Sequence, residues 1–432
     1  MSSAAVVATL SLLNAAPLSL DDALALAAKR NAELEVARAE TQLAAADFSQ
    51  SHSGVLPRLD LSGNGDYQYA QATKTGVSQG IATGGDWVWS YEVALNWTFF
   101  DGLASWNFIS STRTKAAAAD RQLDESVLRV AFEVTRRYYE LVKQQRALQV
   151  RHEAASLSAE LVDRADSLFS AGRGTKADTY NARVNLGNDQ LAVQAQRTAL
   201  ARARADLAVV LGLASDAGLE VLTPPAVADP SVLSLAEPPA LGELIEMALK
   251  GRPLLAAGKL SAESADFDIA RAQGAYWPTL ALQGAFTQQS PGYVGQANFN
   301  PYQYLATGGV TLTYNLYAGG ETRASVQRAE AQARRARALV EQERETVSAE
   351  VTLAREAVVA LAASVGTAQS ILGSAEKALQ FARDKLEAGI GSQLEVRDAT
   401  VKLSQAKLAW INSVVDLVVA RADLNRAVGG SL

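Results

Sequence analysis

AGIGSQLEVRDATVKLSQAKLAWINSVVDLVVARADLNRAV, residues 388–428, reads as a glycine-marked turn followed by one long helix. Small or apolar residues recur at alternating steps of four and three, through Ala399, Leu403, Ala406, Trp410, Ser413, Leu417, Ala420, Leu424 and Ala427. Residues so spaced fall on one stripe of an α-helix, and a stripe of this period is the seam of a paired helix. The same pattern stands 217 residues earlier, where Ala171-Gly172-Arg173-Gly174 opens a helix carrying Ala182, Leu186, Asp189, Val193, Gln196, Leu200, Ala203, Leu207 and Val210 in the same steps. Even the tetrapeptide Arg-Ala-Asp-Leu recurs in register, at 204–207 and 421–424. The 432-residue chain is therefore a tandem repeat of one elongated unit.

Outward from these helices, each copy opens alike. Ser19-Leu20-Asp21-Asp22 is a capping arrangement that predicts a helix from about 20 to about 54, with Ser19 serving a free amide and acids at the positive helix end. Its counterpart begins near Leu241, and an offset of 221 matches Leu20 to Leu241, Asp47 to Asp268, Pro57 to Pro278 and Gly63 to Gly284. A first long helix is expected from about Thr112 to Phe169, and a return helix from about 175 to 211, shorter by some twenty residues. Residues 212–240 hold five of the eleven prolines and read as the linker between copies.

After Pro57 the period changes to two. Leu59, Leu61, Gly63, Gly65, Tyr67 and Tyr69 share one face, with Arg58, Asp60, Ser62, Asn64, Asp66 and Gln68 on the other. A Gly-, Ser- and Thr-rich loop over 71–86 leads to Trp87, Trp89, Tyr91, Val93, Leu95, Trp97 and Phe99 on alternate positions. The second copy repeats the hairpin, with a strand near 278–288, a loop near 289–303 and a strand near 304–317 whose face is Val310, Leu312, Tyr314 and Leu316. A soluble sandwich also gives alternation. Here each copy carries one hairpin, five of six tryptophans lie in or beside the strands, and aromatics cluster at strand ends as interfacial girdles do. Four strands cannot close a barrel and open edges are not tolerated in hydrocarbon, so a spanning version combines several chains.

Composition narrows the function classes. Net charge is −6 and the pI is near 5.3, which leaves no electrostatic footprint for nucleic acid. There are no cysteines, hence no disulfide, thiolate metal site or acylated cysteine, and the two histidines, His52 and His152, lack a second ligand type at metal spacing. No metal and no cofactor is expected. Residues 1–17 read either as a secretory signal peptide or as an N-terminal extension, having an apolar run without a basic start. No transmembrane helix is expected.

The order of these features resembles the TolC-like outer-membrane efflux protein family. The resemblance is carried by Leu18-Ser19-Leu20-Asp21-Asp22-Ala23-Leu24 with Asn31, by Glu243-Leu244-Ile245 through Arg252-Pro253, by Leu56-Pro57 and Trp277-Pro278 before strands, by the turns Phe100-Asp101-Gly102 and Tyr317-Ala318-Gly319-Gly320, and by the two Ala-Gly-x-Gly tips. It covers nearly all of 18–430. It implies a mainly α fold with membrane β: long α-helical hairpins forming an α-helical barrel, plus four β-strands per chain contributing to a trimeric, twelve-stranded β-barrel. On this reading 18–217 is the first repeat, with β-hairpin 57–100 and helical hairpin 103–212; 218–240 is the linker; and 241–432 is the second repeat, with β-hairpin 278–317 and helical hairpin 320–429. The implied function is a passive, non-enzymatic exit duct in the outer membrane for an efflux pump or type I secretion system. Its implied partners are two further copies in a homotrimer, outer-membrane lipid, a periplasmic adaptor and an inner-membrane transporter. The alternative is a periplasmic helical-hairpin adaptor or scaffold whose short sheets are soluble.

Candidate sites gather at the two tips. The resemblance places the gate at Glu395 and Asp398, and the adaptor docks at the tip turns Gly172, Gly174, Gly389 and Gly391; the arginine that some members carry before the gate carboxylates maps to Gly391. Ser392-x-x-Glu395 is also a capping box, so Glu395 has a second, purely structural reading, and a solvated helix face is the plain reading of Asp398. Thr175-Lys176-Ala177-Asp178 repeats the box, and Arg173, Lys176 and Asp178 are the candidate ionic contacts of the first tip. A phosphate loop at 172–176 is rejected because the glycine spacing is incomplete and a helix, not a strand, precedes it.

Overall fold

The computed structural model describes residues 17–70, 84–214, 218–228, 237–289 and 303–430. The N-terminal residues 1–16, and most of the loops expected at 71–86 and 289–303, lie outside the described residues. The first copy contains α1 (Leu20–Arg30), α2 (Ala32–Ser51), β1 (Arg58–Ala70), β2 (Gly84–Phe100), α3 (Ala104–Ser170) and α4 (Lys176–Val210). The second contains α5 (Leu241–Gly251), α6 (Pro253–Gln273), β3 (Thr279–Gln289), β4 (Gln303–Thr313), α7 (Glu321–Glu387) and α8 (Gln393–Ala427). The duplication extends to length: α3 and α7 have 67 residues each, and α4 and α8 have 35 each.

Four boundaries differ from expectation. The helix expected over 20–54 breaks at Asn31, whose backbone is extended and whose Oδ1 accepts from the N–H groups of Glu33 (2.9 Å) and Leu34 (3.1 Å), capping α2 as it ends α1. In the second copy the break is at Arg252, where Pro253 disfavours a helical conformation for the residue before it. The first long helix starts at Ala104 rather than near Thr112, directly after Gly102 and Leu103, both at positive φ, so the return helix is shorter by far more than twenty residues. Finally, β4 ends at Thr313, leaving Tyr314 and Leu316 beyond the strand, because Asn315 Oδ1 accepts from the N–H of Tyr317 and turns the chain.

Two compact units result, and each draws on both copies. The helical unit comprises Met1–Ala39, Arg121–Leu255 and Gln342–Leu432; the sheet unit comprises Glu40–Asp120 and Ala256–Glu341. The core of the helical unit holds Tyr138, Leu141, Leu207, Leu244, Val351 and Leu417, all fully buried. Each such side chain contributes about 1.5–3 kcal/mol by leaving water. The quoted seam is the contact surface of α8: Ala399, Ala406, Leu417, Leu424 and Ala427 are buried, Trp410 is half-buried, and Ile411, Val414 and Val415 widen it. On α4 the seam buries Ala182, Val193, Leu200, Ala203 and Leu207.

The sheet unit holds one antiparallel sheet in the order β1-β2-β3-β4. Its register aligns Leu61 with Val93, Val93 with Phe286, and Leu282 with Val310, so the apolar positions of all four strands share a face. One expectation needs amendment. An 18-residue window of α7 reaches a mean hydropathy of 1.5, which by length and composition alone suffices to cross a membrane, yet only 17% of that window is buried.

Candidate functional site

Two surfaces can do chemical work, and the sheet is the first. Its apolar face leaves Leu61, Tyr67, Trp87, Trp89, Val310 and Leu312 exposed, each by half or more. The opposite face carries Asp60, Ser62, Asn64, Glu92, Gln283 and Thr311, and Thr311 Oγ1 donates to Gln283 Oε1 at 3.3 Å. A sheet with a wet face and an aromatic outer face is inverted relative to a soluble core and suits lipid on one side and water on the other. Aromatics mark both margins. Tyr67 and Trp87 pack edge to face at 5.7 Å and Trp87 stacks on Trp89, while Trp97 and Phe99 lie 6.0 Å apart at the far end. Ten residues separate Trp87 from Trp97, which is roughly 34 Å of strand and about 26 Å along the membrane normal at a 40° tilt, close to the thickness of a barrel's apolar band. Trp97 Nε1 donates to the Val55 carbonyl at 2.9 Å, a polar contact at the apolar margin. Strands β1 and β4 each leave one edge unpaired in the single chain.

The second surface is the pair of tips. Both turns are built the same way: Gly172 (φ 73°) and Gly389 (φ 76°) adopt the left-handed conformation. Arg173 N–H donates to Leu168 O, and Ile390 N–H to Lys385 O, a six-residue closure of the helix end. Gly174 and Gly391 serve a different need, since a Cβ at Gly391 would lie 2.9 Å from Leu386 N and one at Gly174 3.2 Å from Phe169 N. The caps diverge. Thr175 and Asp178 form both arms of a capping box, and the Thr175 hydroxyl and N–H hold the Asp178 carboxyl below the usual carboxylate range. At the second tip, Ser392 Oγ accepts from Glu395 N–H at 3.2 Å, but that cap uses the backbone of Glu395 and not its carboxylate.

Other tip charges find partners on their own helices. Asp398 pairs with Lys402 one turn on, at 2.6 Å, with both side chains well exposed. Lys176 Nζ lies 5.9 Å from the centre of the Tyr180 ring. Within one chain, then, Lys176 of the first tip and Asp398 of the second have separate partners.

Sequence reasoning missed the strongest polar contact near the tips. Arg397 on α8 grips Asp189 on α4 through both terminal guanidinium nitrogens, Nη2 lying 3.0 Å from Oδ1, and Nη1 also donates to Ser158 Oγ on α3 at 2.8 Å. Ser158 is 2% exposed and donates in turn to Asp189 Oδ2. Three helices from two copies are tied at one point, beside a half-open cavity of ≈ 190 Å³ that Asn181, Asn185 and Gln393 help line. A signal was present: Asp189 occupies a seam position where an apolar residue belongs, and a carboxylate there requires a partner.

Comparison with known proteins gives concordant results. The pattern of the outer membrane efflux protein family matches residues 23–213 and 244–430. The outer membrane efflux protein BepC of Brucella suis is 24% identical over 414 residues, covering 95% of this chain and 85% of BepC. The proteases secretion protein PrtF of Dickeya chrysanthemi is 22% identical, covering 97% of this chain and 91% of PrtF. In fold, the chain superposes on the outer membrane protein VceC of Vibrio cholerae with a TM-score of 0.77 at 18% identity, over 95% of this chain and 96% of VceC.

Proposed function

Because the chain belongs to the outer membrane efflux protein family, whose pattern takes in both of its copies, we propose that three copies close one duct whose tips are gated by the second-copy carboxylates. The protein is an outer-membrane channel, the exit duct of an efflux pump or type I secretion system. The observation that carries this reading is the four-stranded sheet, with its exposed aromatic face, polar reverse face and two unpaired edges. In hydrocarbon every strand edge must be paired, so the sheet spans a membrane only when neighbouring chains supply strands on both sides. A soluble scaffold leaves those exposed aromatics without a use.

The helices give the duct its periplasmic length. A helix of 67 residues is roughly 100 Å long at 1.5 Å per residue. Asp398, at the start of α8, forms the gate ring with Glu395, whose carboxylate the cap leaves available, and Arg173 and Lys176 face that ring from the neighbouring copy. A periplasmic adaptor docks at the turns around Gly172, Gly174, Gly389 and Gly391 and spreads the tips, while an inner-membrane transporter supplies the energy. The chain itself acts passively, as a family of channel proteins implies.

The test is fractionation followed by reconstitution. The protein should sediment with outer membranes, run as a trimer in SDS until heated, and form discrete conductances in planar bilayers. A soluble monomer in the periplasm would overturn the channel reading.

A further inference from the structure

Where the strands meet the helices, the polar face of the sheet runs on into a groove. Helix α6 lies between α3 and α7: Asp268 accepts from Ser111 Oγ and Lys115 Nζ of α3, at 2.8 and 2.9 Å, and Asp266 pairs with Arg337 of α7. These three helices line a groove of ≈ 580 Å³ that belongs wholly to the sheet unit of one chain. Thr279, four residues before Gln283 and so on the polar side of β3, lines it as well. Small side chains, Ala104, Ala272 and Ala275 among them, leave the space open.

Charge in this groove is unevenly matched. Three cations, Lys115, Arg271 and Arg328, stand against two carboxylates, Asp101 and Asp268, in a chain whose net charge is −6. Both carboxylates are already satisfied. Asp101 Oδ2 accepts from the N–H and the hydroxyl of Ser105, at 2.8 and 2.5 Å, and Asp268 gives one oxygen to Ser111 and the other to Lys115. The two guanidiniums are not. Among the described residues neither Arg271 nor Arg328 makes a hydrogen bond or an ion pair to a carboxylate, and Arg271 is held with its Cζ 4.0 Å from the centre of the Phe108 ring. A guanidinium resting on a ring keeps its N–H fork for an oxyanion, and it is more weakly hydrated than an ammonium.

We propose that this groove is a binding site for amphiphilic anions on their way through the duct. A sulfonate, carboxylate or phosphate is held by Arg271 and Arg328, while an apolar body lies on Ala104, Ala272 and Ala275. Lys115 is committed to Asp268, so the two arginines carry the recognition. The volume falls within the range of about 300–1,000 Å³ usual for small-molecule sites. That the groove opens into the duct rests on the channel reading, in which the polar face of the sheet is the inner one; that it binds anions does not.

The probe is naphthalene-2-sulfonate, titrated by calorimetry at low salt into the purified protein in dodecyl maltoside, an uncharged detergent. It should bind about once per chain, and the naphthyl-2-trimethylammonium cation, of similar shape, should not compete. Arg271→Gln with Arg328→Gln should weaken binding by about tenfold or more, because charge-assisted hydrogen bonds are removed. Arg334→Gln with Arg335→Gln, on α7 outside the groove, should leave binding unchanged. Ala275→Leu, which fills the groove and keeps both arginines, should weaken it too and serves as the second variant if the first folds poorly. In planar bilayers the sulfonate should cause transient blocks of the wild-type current that vanish in the Arg271→Gln, Arg328→Gln variant. No binding by the wild type, equal affinity in that variant, or an equal loss in the Arg334→Gln, Arg335→Gln variant would overturn the site. Binding without block of a conducting channel, with phosphatidylglycerol recovered from the wild type and lost from the Arg271→Gln, Arg328→Gln variant, would give the arginines to a lipid headgroup and overturn the cargo role. Binding by a protein that forms no conductance would remove the channel reading and the cargo role with it, while upholding the anion site.

Discussion

Asn31 and Arg252 are the same joint built twice from different chemistry. Asn31 Nδ2 donates to the carbonyl of Val210, the last residue of α4, at 2.8 Å; Arg252 Nη1 donates to the carbonyl of Ala427, the last residue of α8, at 3.2 Å. Each residue breaks a helix near the start of its copy and satisfies a carbonyl at the end of a return helix that has no partner of its own. The second copy adds charge. Arg252 is 3% exposed, and its guanidinium also meets Glu125 at 3.0 Å and Glu350 at 2.8 Å. Burial works against its charge, but the two carboxylates outweigh burial and its pKa is raised.

The two joints should therefore differ in sensitivity. Asn31→Ala removes a helix cap and one bond, a loss of about 1–2 kcal/mol. Arg252→Ala leaves Glu125 unpaired in a site where it is largely buried, and breaking such a pair costs about 3–5 kcal/mol. Thermal melts of the detergent-solubilised protein should show the larger drop for Arg252→Ala, with partial recovery on adding Glu125→Gln. Equal melting temperatures for the two single variants would mean that the charge network adds nothing to the joint.

Tyr138 sets an alkaline limit. Its hydroxyl donates to Leu222 O at 2.7 Å and lies 3.1 Å from Leu18 O, where the segment ahead of α1 bridges to Val221 of the linker. Burial, with Tyr139 and the acids Asp21 and Asp22 adding to it, pushes the phenol from the usual 10.0 up to about 12. A folded pKa above the unfolded one favours the neutral phenol, so the stability it confers is complete below pH ~10 and is lost as pH rises towards ~12. Unfolding monitored by circular dichroism should steepen in that window. Tyr138→Phe should lower stability at neutral pH by about 1–3 kcal/mol, because the Leu222 carbonyl loses its donor while the Leu18 carbonyl keeps the N–H of Leu222, and should flatten the alkaline slope. An unchanged slope would assign the alkaline loss to other groups.

The Arg397–Asp189 tie should matter to the tips more than to the core. Arg397→Leu strands a carboxylate that retains only Ser158, whereas Arg397→Leu with Asp189→Leu replaces the pair by seam-like residues, an exchange that is often neutral or stabilising. The single variant should make cells more permeable to large antibiotics, and the double variant should restore the barrier. Leakiness that persists in the double variant would show that the charge pair itself, rather than cohesion of the three helices, keeps the tip closed.

Local signals made most of this legible. Period-two alternation after Pro57, the seam from Ala399 to Ala427, and the Gly172 and Gly389 turns each depend on neighbours a few residues away, and each is readable in the sequence. What could not be read depends on the third dimension. The break at Asn31 is capped locally, by the N–H groups of Glu33 and Leu34, but the Val210 carbonyl that its Nδ2 also holds lies 179 residues away. Arg397 reads as one more charge on an amphipathic helix until Asp189 is seen across from it. Glu395 reads as a cap residue because Ser-x-x-Glu permits a reciprocal bond, and only the geometry shows that its backbone alone is used.

Lys402 beside Asp398 alters what the gate should do. In the gate proposed above, three Asp398 carboxylates would converge and attract cations, and a Lys402 ammonium 2.6 Å from each copy's Asp398 would offset part of that field. Both side chains are well exposed, so the pair is weak and easily rearranged. Single-channel recording should therefore separate the two residues: Asp398→Asn lowers cation selectivity, whereas Lys402→Gln raises it by unmasking the ring. Both effects should shrink as salt rises, because the Debye length falls from about 10 Å at 0.1 M to about 3 Å at 1 M. Arg173→Ala, which removes the basic partner proposed on the neighbouring tip, should increase conductance without reversing selectivity. If Asp398→Asn and Lys402→Gln both leave selectivity untouched at low salt, Asp398 is a solvated helix residue and the constriction lies elsewhere along the tips.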